Sequence, residues 1–285
     1  MPSRILAIDI GGTKTLAALV EGATILKEIK VPTSRENGPD AWIAGIAQAV
    51  APWNAAFERV GVAVTGFVNA GLWSALNPAT LGIPDNYPLV ETVRRTFGKP
   101  VFAANDAQVA AWGEYRFGAG LGEDLVFLTI STGVGGGIVV NGRPLLGLSG
   151  HFGQIRGPSA GEAPLENSVS GRWMAAEAAK TGHPVEAPEI FAAAHDGQSW
   201  AQAIVDASAR RTALLCQDIQ LMIDPRRIVI GGGIGLAEGY IGRVTAHLAH
   251  LAPRLRPSLA PAHLAGHAGI VGVADLAANL DLDAD

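Results

Sequence analysis

The opening of the chain alternates short aliphatic runs with glycine turns. Residues 5–8 (Ile-Leu-Ala-Ile) predict a buried strand that ends in Asp9-Ile10-Gly11-Gly12-Thr13-Lys14. A second run over 15–20 closes on Glu21-Gly22, a turn signal, and a third strand is predicted over 25–31. Helical spacing follows over 41–50. A strand over 60–64 ends at Thr65-Gly66, and helical character returns over 89–97. A strand over 101–104 closes on Asn105-Asp106, and good helix formers fill 107–115.

The pattern then starts again. A strand over 125–130 leads into Ser131-Thr132-Gly133-Val134-Gly135-Gly136-Gly137, and a strand over 138–140 ends at the hairpin dipeptide Asn141-Gly142. Gly142 lies as far past Thr129 as Gly22 lies past Asp9. Both segments read strand, glycine loop, strand, glycine turn, which suggests two related α/β halves with a boundary near 116–122. Residues 142–171 lack periodicity and are rich in Gly, Ser and Pro, as functional loops are. Helices are predicted over 172–180, 188–194 and 201–223. A strand over 227–230 ends in Gly231-Gly232-Gly233-Ile234-Gly235, with a helix starting near Leu236 and a closing helix over 270–280.

A length of 285 residues with 48% hydrophobic side chains suits two domains or one large one. The net charge of −5, with no basic cluster, argues against a nucleic-acid partner. One cysteine, Cys216, excludes a disulfide framework within the chain and a cysteine-based zinc site. Neither a signal-peptide pattern nor a long apolar span is visible, so no membrane partner is expected and a cytoplasmic location fits.

Three glycine loops after three strands suggest a nucleotide cradle, because glycine lets backbone N–H groups converge on an anion. None has the spacing of a Walker A loop or of G-x-G-x-x-G, so P-loop and dinucleotide-binding readings lose support. Asp9 within the first loop is either a turn former or a Mg²⁺ ligand acting through water. Lys14 either neutralises phosphate or is solvated. Asn105-Asp106 reads first as a helix cap, and beyond that as a carboxylate able to take a proton from an attacking hydroxyl. His151 and Glu166 are polar loop residues where ligand groups tend to be. His263 and His267 are four apart, a spacing that without a third ligand carries little weight for a metal.

Asp9 to Lys14, Asn105-Asp106, Ser131 to Gly137 and Gly231-Gly232-Gly233 occur in the order found in ROK-family sugar kinases, and the chain resembles that family over nearly its whole length. Within it the resemblance is strongest to bacterial N-acetylmannosamine kinases, through Leu76-Asn77-Pro78, the segment around Asn105 to Trp112, and Gly235 to Tyr240. The resemblance implies an α/β, actin/hexokinase-like (ribonuclease H-like) fold with two domains about a cleft. The expected domains are 1–118 and 119–285, the last helix packing back on the first. It implies an ATP- and Mg²⁺-dependent enzyme that phosphorylates the 6-hydroxyl of a hexose or N-acetylhexosamine, with N-acetylmannosamine first. Glucose, fructose and N-acetylglucosamine are the alternatives, and a place in sialic acid catabolism follows from the first.

By the same resemblance Asp106 is the general base, and Gly66, Asn77, Asn105, His151 and Glu166 line the sugar pocket. Gly11, Gly12, Thr13, Lys14, Ser131, Thr132, Gly133 and Gly135 would hold phosphates, and Gly231, Gly232, Gly233 and Gly235 the adenosine side. Members are commonly homodimers. Many also carry zinc on a His and three Cys, but the matching region here, Gly157 to Glu166, has no cysteine, so no structural zinc is expected. A sensor without catalysis is a further alternative. The family's DNA-binding repressors carry an added N-terminal region, for which this chain is expected to have no room before Asp9.

Overall fold

Two sheets of the same design organise the chain, seen in a computed structural model that describes residues 3–34, 36–76, 82–156 and 163–279. The first half contributes β1 (Arg4–Ile10), β2 (Lys14–Glu21), β3 (Thr24–Pro32), α1 (Gly38–Val50), β4 (Arg59–Val64), β5 (Phe67–Asn69), β6 (Leu72–Ser74), α2 (Leu89–Phe97), β7 (Val101–Asn105) and α3 (Asp106–Phe117). The second contributes β8 (Leu125–Ile130), β9 (Val134–Val140), β10 (Arg143–Leu145), α4 (Glu166–Val169), α5 (Gly171–Lys180), α6 (Ala187–His195) and α7 (Ser199–Ile223). After these come β11 (Arg227–Gly231), α8 (Gly232–Gly235), α9 (Tyr240–Leu248), β12 (Leu259–Pro261) and α10 (Ala268–Asn279).

The sheet orders are β3-β2-β1-β4-β7 and β10-β9-β8-β11-β12. In each, three antiparallel strands continue into parallel ones, so the repeated hairpin in the sequence is a repeated half-sheet. The continuous apolar run of β1 follows from burial on both faces, since alternate side chains leave a strand on opposite sides. Leu6, Ile8 and Ile10 join Trp42, Ile46 and Trp73, whereas Ile5 and Ala7 join Ile270 and Val273 of α10.

Helices α3 and α10 cross between the sheets, α3 against β8 and β9 and α10 against β1 and β4. Their crossing is close because glycines stand at it. A Cβ on Gly272 would fall 1.8 Å from the Val109 carbonyl oxygen, and one on Gly113 would fall 2.4 Å from that of Ala268. Further along, buried Asp275 accepts from Trp112 Nε1 (2.7 Å) and Arg116 Nε (3.2 Å).

Two glycine segments differ from their sequence reading as loops. Gly135, Gly136 and Gly137 are strand, paired with Thr129, Leu128 and Phe127. Gly135 and Gly137 face α3, where a Cβ on Gly137 would sit 2.6 Å from Ala111 Cβ, and Gly136, on the other face, is crowded by the Phe127 carbonyl and the Phe152 ring. Gly232 to Gly235 form a helical turn capped by Leu236, and the helix expected there begins instead at Tyr240. Among the described residues no helix is long and apolar enough to cross a membrane.

Candidate active site

Two cavities meet at the N-terminus of α3. One, of about 400 Å³, is bounded by Gly66, Asn105, Asp106, His151 and Glu166, and its floor holds Gly11, Gly12, Ser131, Thr132, Gly133 and Gly135. The other, of about 420 Å³, is bounded by Asp9, Asp106, Gly232, Gly233, Leu236 and Gly269. Asp106, Ala107 and Thr129 line both.

The strand-to-helix junction divides its two polar residues between two tasks. Asn105 is the cap, in extended backbone, with Oδ1 accepting from the N–H groups of Ala107 (3.0 Å) and Gln108 (3.2 Å). Its Nδ2 donates to the Gly66 carbonyl at 2.8 Å. Asp106 opens the helix, partly buried, with Oδ1 accepting from Ala107 N–H at 2.8 Å. Burial pushes the Asp106 carboxyl up to about 6, the Ala107 N–H and the nearby His151 pulling the other way.

The same helix fixes the loop carrying His151. Buried Gln108 donates through Nε2 to the carbonyls of Gly147 (2.8 Å) and Ser149 (2.7 Å). His151 then lies with Nδ1 3.1 Å from the Leu148 carbonyl and Nε2 3.3 Å from that of Gly66. Gly66 holds this junction with φ of 102°, and a Cβ there would meet the Ser74 carbonyl at 2.6 Å.

Glu166 begins α4, where its Oε2 accepts from Val134 N–H at 3.0 Å and its Oε1 pairs with Arg172 at 2.5 Å. Asp9 lies in β1, one residue before its end, and lines the second cavity together with Asp106. Burial, and then the negative charge of Asp106, push its carboxyl up to about 7. Among the described residues no hydrogen-bond donor meets the Asp9 carboxylate. An unpartnered carboxylate beside a second one suits a hydrated divalent cation, which would relieve both burdens.

Several expected residues stand elsewhere. Thr13 and Lys14 are exposed and outside both cavity walls, and the Lys14 carbonyl closes the first loop by accepting from Gly11 N–H at 3.1 Å. Gly231 and Gly235 are buried, close to Phe127 and Ile230. Asn77 and residues 157–162 lie outside the described residues. Gln154, Arg172 and the Ala265–Gly269 turn line the cavities without having been singled out in the sequence. For Gln154 the available signal was a polar residue in a glycine-rich loop; Arg172 and the 265–269 turn carried none of their own.

The family model described as the ROK family matches residues 5–279. A bifunctional enzyme NanE/NanK of Brucella melitensis biotype 1 is 46% identical over 281 residues, 97% of this chain and 54% of that protein, so the chain spans about half of its length. An N-acetylmannosamine kinase of Citrobacter koseri is 40% identical over 95% of this chain and 98% of its own. A crystal structure of a ROK family glucokinase from Streptomyces griseus, in complex with glucose and AMPPNP, superposes with a TM-score of 0.81. The two are 29% identical, with 96% of this chain and 99% of that one covered.

Proposed function

The chain belongs to the ROK family, and from that premise we propose that it transfers the terminal phosphoryl group of ATP to the 6-hydroxyl of N-acetylmannosamine. The observation that carries the reading is the position of Asp106 on the shared wall of two cavities, one large enough for a sugar and the other beside the glycine turn at 232–235. A sugar in the first cavity sets its hydroxyl against the Asp106 carboxylate. That carboxylate takes the proton as the hydroxyl oxygen attacks phosphorus, which enters from the second cavity. Asn105 keeps the carboxylate at the helix start, and His151 and Glu166 offer groups to the remaining sugar hydroxyls. The backbone around Gly11, Gly12 and residues 131–133, on the floor of the first cavity, receives the terminal phosphate where it reaches past Asp106 from the second.

Asp9 fits Mg²⁺ held through water, and Mg²⁺ when bound neutralises charge on the phosphate oxygens. The cysteine set of a zinc site does not fit: the sole cysteine, Cys216, is buried in the core on α7. We propose that the protein folds without zinc, and stoichiometric zinc in purified protein by elemental analysis would contradict this. Residues 1–118 and 119–285 are read as the two lobes about the cleft, in a cytoplasmic homodimer. The choice of sugar is supported by the names of the relatives at 40–46% identity.

An ADP-release assay with MgATP and a panel of N-acetylmannosamine, glucose, N-acetylglucosamine and fructose tests the reading. Turnover preferring N-acetylmannosamine supports it. Preference for another sugar replaces the substrate, and silence on all four, with sugar still bound, removes the kinase.

A further inference from the structure

A guanidinium on the first turn of α5 joins the two sides of the sugar-facing cavity. Arg172 donates from Nε to the Thr132 carbonyl (3.2 Å) and from Nη2 to Oε1 of Glu166 (2.5 Å). The other oxygen of that carboxylate, Oε2, accepts from Val134 N–H at 3.0 Å. One ion pair therefore grips the turn at 132–134 on both flanks. A Cβ on Gly133 would stand 2.4 Å from Oε2, so the close seat of the carboxylate depends on a glycine there.

The base of the arginine is held as well. Gly171 N–H donates to the Ser131 carbonyl at 2.8 Å, and Ser170 Oγ caps α5 by accepting from Trp173 N–H at 3.4 Å. The Arg172 side chain is 50% exposed and that of Glu166 18%. An ion pair so placed adds little to stability on its own. Its effect lies in geometry. A planar guanidinium presents donors at fixed angles, so it can hold a backbone carbonyl and a carboxylate at once, which an ammonium does poorly. Each carboxylate oxygen has two acceptor sites, so Glu166 keeps capacity for a sugar hydroxyl after these bonds.

We propose that Arg172 is a positioning residue for the sugar side of the site, aiming the Glu166 carboxylate into the cavity from its anchor on the Thr132 carbonyl. The proposal rests on the kinase reading above. Arg172 acts through Glu166 and the turn, and touches neither the attacking oxygen nor phosphorus.

The test uses the full chain and four variants: Arg172→Gln, Arg172→Lys, Glu166→Gln and the double Arg172→Gln/Glu166→Gln. N-acetylmannosamine affinity is measured calorimetrically without nucleotide, and KM for ATP by steady-state assay. Arg172→Gln is expected to weaken sugar binding roughly tenfold while KM for ATP stays within about twofold. Arg172→Lys should recover part of the loss, and the double variant should bind sugar no more weakly than Glu166→Gln alone.

Unchanged sugar affinity in Arg172→Gln, full recovery in Arg172→Lys, or losses that multiply in the double variant would each overturn the proposal. So would a loss confined to KM for ATP, which would make Arg172 a phosphate contact. Failure of the kinase reading shows in the wild type, as absent phosphoryl transfer. Failure of this proposal shows in the ratio of variant to wild-type sugar affinity, which needs no turnover.

Discussion

Asn105 and Gly66 lock the mouth of the site from the ends of two adjacent parallel strands, β7 and β4: the Asn105 Nδ2 donates to the Gly66 carbonyl at 2.8 Å while the same side chain caps α3. The Gly66 carbonyl also lies 3.3 Å from His151 Nε2, so one backbone oxygen gathers three segments of chain. Asn105→Ala removes the cap and the bond together. The expected cost is about 1–2 kcal/mol, seen as a Tm lower by roughly 3–6 °C. Asn105→Asp keeps the cap oxygen but sets a buried carboxylate against the Gly66 carbonyl and beside Asp106, so it should recover only part of the Tm and none of the activity. Equal melting of both variants would separate the cap from the stability of this region.

Asp106 has to be ionised to accept a proton, and burial holds its carboxyl up to about 6. Activity should therefore fall on the acid side, kcat/KM dropping toward tenfold per unit below about pH 6, the value that burial sets for this group. Asp106→Asn should keep fold and sugar binding and lose roughly 10²–10⁴-fold in kcat. A pH profile flat down to pH 5, or near wild-type turnover in the variant, would remove Asp106 from its role as base.

Much of this arrangement is legible in the sequence. The runs that became β1, β2, β4, β7 and β8 are aliphatic on both faces because both faces are covered, and helix α2 spans residues 89–97 as its spacing predicts. The matched hairpins point to two related halves, and each hairpin is the start of a sheet, the two sheets sharing one strand arrangement. Glycine was where local reading failed. Gly135 to Gly137 look like loop, yet they are strand paired with β8, and glycine stands there because α3 presses on Gly135 and Gly137 and Phe152 on Gly136, long-range contacts that no window of sequence contains. The role of Arg172 is not visible in the sequence for a related reason. The residue sits among ordinary helix formers, and its partners Thr132 and Glu166 come from distant segments.

Asp9 is costly in the protein without nucleotide or Mg²⁺. Its carboxyl stands raised to about 7 in the fold against an ordinary 3.8. Between those values the folded chain holds a proton that the unfolded chain has released, so stability falls as pH rises through that window and is lowest above it. Asp9→Asn cannot ionise. It should melt higher than wild type at pH 8, by several degrees on the order expected for 1–2 kcal/mol, and the gain should shrink toward pH 4. Saturating MgATP should narrow the gap at pH 8 by binding the wild type more tightly. A variant that melts at or below wild type at pH 8 would show that Asp9 carries no such burden. The same variant should lose activity, since an amide is a poor anchor for a hydrated cation.

The crossing of α3 and α10 gives the last prediction, because it ties a packing contact to the nucleotide-facing wall. Gly272 lies against Val109 and Gly113 with no room for a methyl group. Gly269, one turn earlier on α10, borders the same cavity as Asp9 and Asp106. Gly272→Ala must push the helices apart, at a cost of about 1–3 kcal/mol for overpacking, and Tm should fall by roughly 3–9 °C. Because the displaced helix start lines that second cavity, KM for ATP should rise more than KM for the sugar. Gly242→Ala in α9, where a Cβ meets nothing within 4 Å, is the control, and a helix-favouring residue there should leave Tm unchanged or slightly higher. Equal melting of Gly272→Ala and wild type would mean that the two helices do not meet backbone to backbone. A lower Tm with both KM values unmoved would uncouple the crossing from the site.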